Sequence, residues 1–165
     1  MNRRGFTVIE LIIVITIMGI LLILGVVNLR GTQISARDTE RKADIATIAL
    51  NLETFYKIGT DNSSIFGRYP SIAIAGNIQT SLRDADLKSF TPPGATDSDA
   101  GFLVASNNNQ TTSGVSPNPT INSYVYQPIR QDGGLCSGAE YCQKFNLYYK
   151  LESDNTVYMV TSKNQ

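Results

Sequence analysis

The chain has 165 residues, of which 42% are apolar and 17% charged, a composition typical of a globular domain. Its 14 basic and 14 acidic side chains balance, so no strong positive field would attract nucleic acid. With no histidine and two cysteines, the chain offers too few ligands for a zinc site, and it contains no catalytic or nucleotide-binding motif. We therefore expect neither an enzyme nor a cofactor.

An apolar segment at residues 11–29 contains no ionised side chain. A helix rises about 1.5 Å per residue, so this segment is roughly long enough to cross about 30 Å of hydrocarbon. A secretory signal fits poorly, because its apolar region is shorter and a small-residue cleavage site should follow it. The segment predicts one membrane-spanning helix, and a plain signal anchor is the simplest alternative.

One carboxylate, Glu10, lies at the head of this segment, five residues after Gly5. A carboxylate at the centre of a bilayer costs about 2.5 to 3.5 kcal/mol, although a residue so near the end of a span can reach the interface. Glu10 is therefore either an interfacial acid with no task or a residue retained for a specific partner.

Residues 3–11, with the sequence RRGFTVIEL, resemble the processing site of type IV prepilins and of the related type II secretion pseudopilins. The resemblance rests on a basic leader, a glycine, an aromatic residue, a glutamate and a long apolar segment, and it is close over residues 1–30. It implies that a membrane-embedded prepilin peptidase cuts after Gly5 and that the new terminus, Phe6, is methylated. Many relatives carry a proline late in the apolar segment, whereas this chain has none before Pro70, which leaves the position of any kink open.

The same resemblance implies that Glu10 meets the Phe6 amine of a neighbouring subunit during assembly. An ionised carboxylate among apolar helices needs a partner. Removal of the leader would take away both leader arginines, and the next basic residue, Arg30, is about 30 Å away along a helix. A terminal amine is then the available cation.

The helix is predicted to continue and to end at Gly59, which can adopt the left-handed cap conformation. Residues 37–44 carry charges on all sides, with i,i+3 and i,i+4 pairs that favour a solvent-exposed helix. An apolar stripe with helical spacing follows at Ile45, Ile48, Ala49, Leu52, Phe55 and Tyr56. A helix over residues 6–58 would be about 80 Å long, so half of it should protrude from a domain of this size.

The remainder of the chain predicts a small sheet after a polar connection. Residues 59–123 are rich in Asn, Ser, Thr, Gly and Pro, with a short helix expected near 78–90 and a solvated loop at 106–114. Strands are predicted at 124–129, 144–151 and 156–162, with a polar turn between the last two. The predicted fold is α+β, with the long helix packed through its stripe on an antiparallel C-terminal sheet.

Cys136 and Cys142 bracket five residues immediately before the predicted hairpin. Because this region should lie outside the membrane, a disulfide is the favoured interpretation and a pair of free thiols the alternative. Closing so short a loop would contribute roughly 2 kcal/mol in the chain-entropy model. Pilins of the resembled family often close a C-terminal loop in this way, although the loop is usually longer.

These predictions divide the chain into a leader (1–5), a transmembrane and filament-core helix (6–30), an amphipathic helix half (31–58), a connecting region (59–123) and a C-terminal sheet with the disulfide loop (124–165). The resemblance implies a subunit that stays in the membrane before assembly, with the part of the chain beyond the membrane helix, called the head, outside the cytoplasm. An assembly platform in the inner membrane would then add it to identical or related subunits in a helical filament.

Three functions remain open from the sequence. The first is a type IV pilus subunit for adhesion, motility or DNA uptake. The second is a type II secretion pseudopilin, which acts in the periplasm. The third is a membrane-anchored binding module that captures a ligand through its loops at residues 91–127.

Overall fold

A computed structural model of the chain describes residues 5–58, 66–75, 82, 86–95, 101–138 and 142–164. It contains helix α1 (Val8–Ile58), a short helix α2 (Ile72–Ala75), a 3-10 turn (Leu87–Phe90) and strands β1 (Gly101–Val104), β2 (Ser123–Arg130), β3 (Cys142–Lys150) and β4 (Val157–Thr161). The chain divides into two compact units, Met1–Ala36 and Arg37–Gln165. The predicted leader before Gly5, the predicted cap at Gly59 and most of the predicted helix at 78–90 lie outside the described residues.

The four strands form one sheet in the order β1-β2-β3-β4. The predicted antiparallel pairing of β2 with β3 and of β3 with β4 is confirmed. The whole sheet is mixed, because an additional strand, β1, lies parallel to β2 inside the region expected to be a connection. A strand of four residues has too few alternating positions to be recognised from the sequence of a polar segment. Its parallel partner, β2, also begins far along the chain, so no hairpin signal marks the pair.

One face of the sheet packs on α1 and forms the main core. The helical stripe contributes the fully buried Ile45, Ile48 and Leu52, as predicted. The other side of this core is built from tyrosines and from alternate residues of the β3 segment: Tyr69, Tyr124, Tyr126, Phe145, Leu147, Tyr149 and Leu151. The period-3.6 stripe and the period-2 strand therefore meet face to face, which confirms the α+β prediction.

The loop at 106–114 lies over the opposite face of the sheet, and most of its residues are exposed, as predicted, although its backbone is bonded to the sheet. Gln127 is fully buried, and its amide nitrogen donates to the carbonyls of Asn107 and Asn109 at 2.9 and 3.0 Å. The Gln127 carbonyl accepts from Tyr148 Oη at 2.8 Å and from Asn146 Nδ2 at 3.1 Å. A buried polar network thus attaches the asparagine-rich loop to the sheet. The Gln127 side-chain amide takes the place of water at two backbone carbonyls of the loop.

The disulfide joins Cys136 to Cys142, with Cα atoms 5.7 Å apart and both residues fully buried. Backbone hydrogen bonds link both cysteines to the segment that follows α1. The Tyr69 amide donates to the Cys142 carbonyl at 2.7 Å, and the Ile72 amide donates to the Cys136 carbonyl at 3.0 Å. The bridge therefore fixes the β2–β3 connection against this segment.

Charged residues of α1 hold the β3–β4 turn, which corrects the prediction of a solvent-exposed charged stretch. Arg41 and Asp38 are only 1% and 4% exposed, and their side chains pair at 2.9 Å. The Asp38 carboxylate also accepts the amides of Glu152 and Ser153, each at 2.9 Å. Arg37 binds the Glu152 carboxylate with two nitrogens, at 2.8 and 2.6 Å. We call these five residues the turn clamp.

Arg41 also satisfies two loop carbonyls, at Ile121 (3.2 Å) and at Pro93 (3.1 Å). A guanidinium presents its donors in a fixed planar fork, so one buried Arg41 can position two loops and the turn together. The charges are visible in the sequence, and their helical spacing predicted ion pairs within the helix. This spacing carries no information about the distant segments that supply the hydrogen-bond partners.

Asp38 should make the head acid-sensitive. Burial raises the pKa of its carboxyl, but the Glu152 and Ser153 hydrogen bonds and Arg41 outweigh burial and lower it to about 2. Because the unfolded pKa is 3.8, this stabilisation is present above pH 4 and is lost as the pH falls towards 2. We expect Asp38→Asn to cost about 3 kcal/mol at pH 7 and to flatten the loss of stability between pH 4 and 2, measured by urea unfolding of the full chain in detergent.

Asp44 provides the matched contrast, because its pKa moves the other way. Burial raises the pKa of this carboxyl to about 6, despite a hydrogen bond of 2.9 Å from Tyr124 Oη that lowers it. Its ionisation therefore reduces stability as the pH rises from 4 to 6. Asp44→Asn should remove that decline without affecting the range below pH 4, and identical pH profiles for the two variants would contradict the assignment.

Candidate functional site

The N-terminal segment of the Met1–Ala36 unit exposes an apolar helical surface on all sides. Every described large apolar side chain between residues 6 and 29 is exposed by 45% to 84%. In the described part of the chain, α1 is the one helix long and apolar enough to cross a membrane. Such a surface is stable in a hydrocarbon layer or against other apolar helices, and it is costly to leave in water.

Glu10 lies in the first turn of α1, where Thr7 holds it. The Glu10 carboxylate accepts the Thr7 amide at 2.9 Å and the Thr7 hydroxyl at 2.7 Å. The Glu10 amide in turn donates to the Thr7 hydroxyl at 3.4 Å. This reciprocal arrangement is a capping box, in which the residue before the helix and its third residue satisfy each other's backbone amides.

The other described polar side chain of the apolar segment is satisfied within the helix. Thr16 Oγ1 donates to the carbonyls of Ile12 and Ile13, at 3.0 and 2.8 Å. A hydroxyl bonded in this way presents mainly its methyl group to the surroundings. Glu10 therefore carries the one formal charge of residues 5–26 as the structure describes them.

Gly5 and Phe6 precede the helix. A β-carbon added at Gly5 would meet no atom within 4 Å, and the Phe6 side chain is 84% exposed. Both residues are therefore accessible, and the chain itself does not require glycine at position 5 for packing. Any requirement for glycine there would come from a molecule that acts on this peptide bond.

The structure places Gly5, Phe6 and Glu10 together in the Met1–Ala36 unit, and the two cysteines in the other unit. Among the described residues, the hydrogen bonds of the Glu10 side chain go to Thr7. Sequence reasoning missed Thr7, although the spacing T-x-x-E before an apolar segment is a recognised signal for a capping box.

Comparison with protein families adds one finding. The family model of the prokaryotic N-terminal methylation motif matches residues 1–26. The match supports a type IV pilin-like or pseudopilin-like prepilin, in agreement with the resemblance of residues 3–11. Comparison with curated proteins and with solved structures gave no match.

The prepilin-type motif and the exposed apolar helix together suit a single-pass membrane-anchored protein. Pilins and pseudopilins are structural proteins, and the motif implies processing by a peptidase and assembly with pilin-like subunits. Gly5, Phe6 and Glu10 all lie inside the matched residues, and the cysteines lie beyond them.

Gly5 should be required for leader removal but not for folding. Gly5→Val is expected to block cutting, because the bulk of the side chain would prevent close approach of the backbone at position 5 to a peptidase, whereas nothing within 4 Å in the chain opposes the substitution. Mass spectrometry of the N-terminus measures the outcome. Gly19→Val is the matched control, since a β-carbon at Gly19 also meets no atom within 4 Å, and normal cutting of the Gly5→Val protein would contradict the prediction.

Thr7 should stabilise the first turn of α1 through the capping box. Thr7→Val keeps the shape but removes the hydroxyl, at a cost of about 1 kcal/mol, so the Glu10 and Leu11 amides should exchange hydrogen about fivefold faster in detergent. Thr7→Ser keeps the hydroxyl and should exchange like the wild type. Equal exchange in both variants would show that the capping box is not formed.

Proposed function

We propose that the chain is a structural subunit of a type IV pilus-like filament and that α1 is its assembly element. The observation that carries the proposal is the coincidence of a prepilin-type motif with an apolar helical surface exposed on every side. A membrane anchor needs the apolar surface alone. A subunit that leaves the membrane for a helical assembly needs that surface together with a defined new terminus.

The leader is removed after Gly5 by a prepilin peptidase, and the amine of Phe6 is methylated. The accessibility of both residues supports this step, because the peptide bond lies before the first helical turn. Until assembly, the apolar part of α1 crosses the inner membrane, where an assembly platform receives it.

The head lies outside the cytoplasm, in the periplasm or beyond it. The disulfide between Cys136 and Cys142 supports this location, since disulfides persist in oxidising compartments and are rare in the cytosol. Neither cysteine belongs to the matched motif, so the disulfide supports export independently of the leader.

Glu10 is the charge that selects the position of an incoming subunit. Thr7 satisfies the carboxylate in the uncut chain, but a hydroxyl and an amide leave its charge uncompensated. After cutting, each copy carries an amine at Phe6, one helical turn from Glu10. Pairing with the amine of a neighbouring copy neutralises both charges among apolar helices and fixes the axial register of the two subunits.

A type II secretion pseudopilin is the second candidate, because the matched motif is common to both kinds of subunit. The two differ in the length and location of the filament. Electron microscopy of material sheared from the cell surface separates them, since a pilus yields long filaments and a secretion pseudopilus remains in the periplasm.

Loss of the Glu10 carboxylate should stop assembly and leave earlier steps intact. Glu10→Val is expected to insert and to be cut normally, while sheared filament relative to processed subunit falls at least about tenfold, equivalent to about 1.4 kcal/mol of subunit association. Glu10→Asp shortens the reach by one methylene and should give a partial defect.

Thr16→Val is the matched control, because it removes a polar group from the same helix without removing a charge. It should assemble like the wild type. Wild-type filament yield from Glu10→Val would refute the pairing mechanism, and an uncut, monomeric surface protein would instead indicate the anchored binding module.

A further inference from the structure

Strand β4 is an edge of the sheet, and within the part of the chain that the structure describes it carries none of the usual protection. Its sequence, VYMVT, contains no charge, proline or glycine, and Tyr158 and Met159 are 37% and 39% exposed. In the described part of the chain β4 pairs with β3 alone. Soluble proteins normally block such an edge with charges, proline or a bulge, because its unpaired backbone groups bind another strand.

The register of β4 fixes which backbone groups face outward. The Ser162 amide donates to the Phe145 carbonyl, and the Leu151 amide donates to the Thr156 carbonyl, each at 3.0 Å. Hydrogen-bonded positions alternate along an antiparallel pair, so the even-numbered residues of this segment bond to β3. The amides and carbonyls of Val157, Met159 and Thr161 therefore point away from the sheet.

The side chains of β4 divide between the two faces of the sheet. Val160 packs on the core under α1, and Tyr158 stacks on Tyr149 of that core, with ring centroids 5.6 Å apart. Val157 packs on the opposite face against an apolar cluster formed by Ala105, Val115, Val125 and Tyr148. Met159 shares that face because alternate residues of a strand lie on one side. A strand added to this edge must respect both the faces and the outward-pointing positions.

A second copy of β4 meets both conditions in one arrangement. A two-fold axis perpendicular to the sheet and centred on Met159 makes the copies antiparallel and keeps each face on its own side. Val157 then lies opposite Thr161 of the second copy, Met159 opposite Met159, and all three outward positions bond. A symmetric parallel pairing would place each outward-pointing residue directly opposite the same residue of the second copy. Parallel strands cannot form hydrogen bonds in that register, because a residue bonds to the two residues on either side of the one opposite it.

The residues at the two ends of β4 fit the same arrangement. Asp154 precedes the strand and Lys163 follows it, so antiparallel copies bring the lysine end of each to the acidic end of the other. On the α1 side of the sheet, Tyr158 meets Val160 of the second copy, an aromatic and β-branched pair that favours association across strands. We infer that the β4 edge is a self-recognition surface through which the heads of two copies join their sheets.

This inference rests on the proposed filament and adds a consequence for it. The two-fold axis reverses the direction of the packed helical segment, residues 37–58, together with the strands. Subunits of one helical filament all point the same way, so paired heads belong to two filaments of opposite polarity. One contact of five residues is small and weak, but contacts repeated along two filaments act together.

Cysteine cross-linking of the full chain in detergent tests the pairing without requiring filaments. In the paired edge the Cα atoms of the two residues at position 159 are about 5.5 Å apart, which is within the range of a disulfide. The Cα atoms of the two residues at position 156 are about 20 Å apart, which is too far. Met159→Cys should therefore form a linked dimer under mild oxidation at least about tenfold faster than Thr156→Cys. Both residues are exposed, and the native disulfide is fully buried.

Equal rates for the two variants, or no dimer from either, would overturn the inference. Met159→Lys supplies a second measurement on assembled filaments, because it places two like charges opposite each other at the centre of the pair. It should abolish lateral bundles in electron micrographs while single filaments still form, and Thr156→Lys should leave the bundles intact. Bundles that survive Met159→Lys would overturn the role in filament pairing, whereas a failure of the proposed filament itself is detected separately, by the Glu10 variants.

Discussion

The apolar surface of the first part of α1 has no cover among the described residues of the Met1–Ala36 unit, and this constraint dictates where the chain can lie. A side chain of leucine or isoleucine size contributes roughly 1.5 to 3 kcal/mol when it is removed from water, and here such residues follow one another for more than four helical turns. The segment must therefore lie in lipid or against other apolar helices. An assembly that exchanges the first environment for the second loses little hydrophobic free energy, which makes withdrawal from a membrane into a filament feasible.

Because apolar contacts are non-directional, that exchange does not by itself set the position of one subunit against the next. We propose that Glu10 provides the missing specificity, since it carries the one formal charge of residues 5–26 in the described structure. The capping box adds a further property. Thr7 supplies the carboxylate with hydrogen bonds but with no opposite charge, so we propose that a cationic partner displaces the hydroxyl during assembly.

The head follows a different physical logic, in which buried polar groups connect segments that are distant in sequence. Arg41 and Asp38 join α1 to the β3–β4 turn, and Gln127 joins the sheet to the asparagine-rich loop. Forming each network requires desolvation of its polar groups, and this cost offsets much of the free energy of the hydrogen bonds. Because the bonds are directional, the network specifies one arrangement of the segments rather than adding much stability. The turn clamp fixes the turn that leads into β4, whose open edge we infer to be the surface for a second copy.

Features that follow from local periodicity and spacing could be predicted from the amino-acid sequence. Continuous apolar character predicted the exposed segment of α1, the stripe from Ile45 to Tyr56 predicted the packed half, and alternation predicted the β3–β4 hairpin. The prepilin-type motif, with Gly5, Phe6 and Glu10, is likewise contained in a few consecutive residues. Each of these signals is local, because one residue and its near neighbours carry it.

Contacts between distant groups became known only from the folded chain. It placed Asp38 and Arg41 in the interior, added the parallel strand β1 and folded the loop at 106–114 onto the sheet. Helical spacing offered local partners for the charges of residues 37–44, yet the carboxylates and carbonyls that they bind come from Glu152, Pro93 and Ile121. Pairings of this kind produce no periodic pattern in the sequence. The free energy that selects them is gained only when segments far apart in the chain come together and are desolvated at the same time.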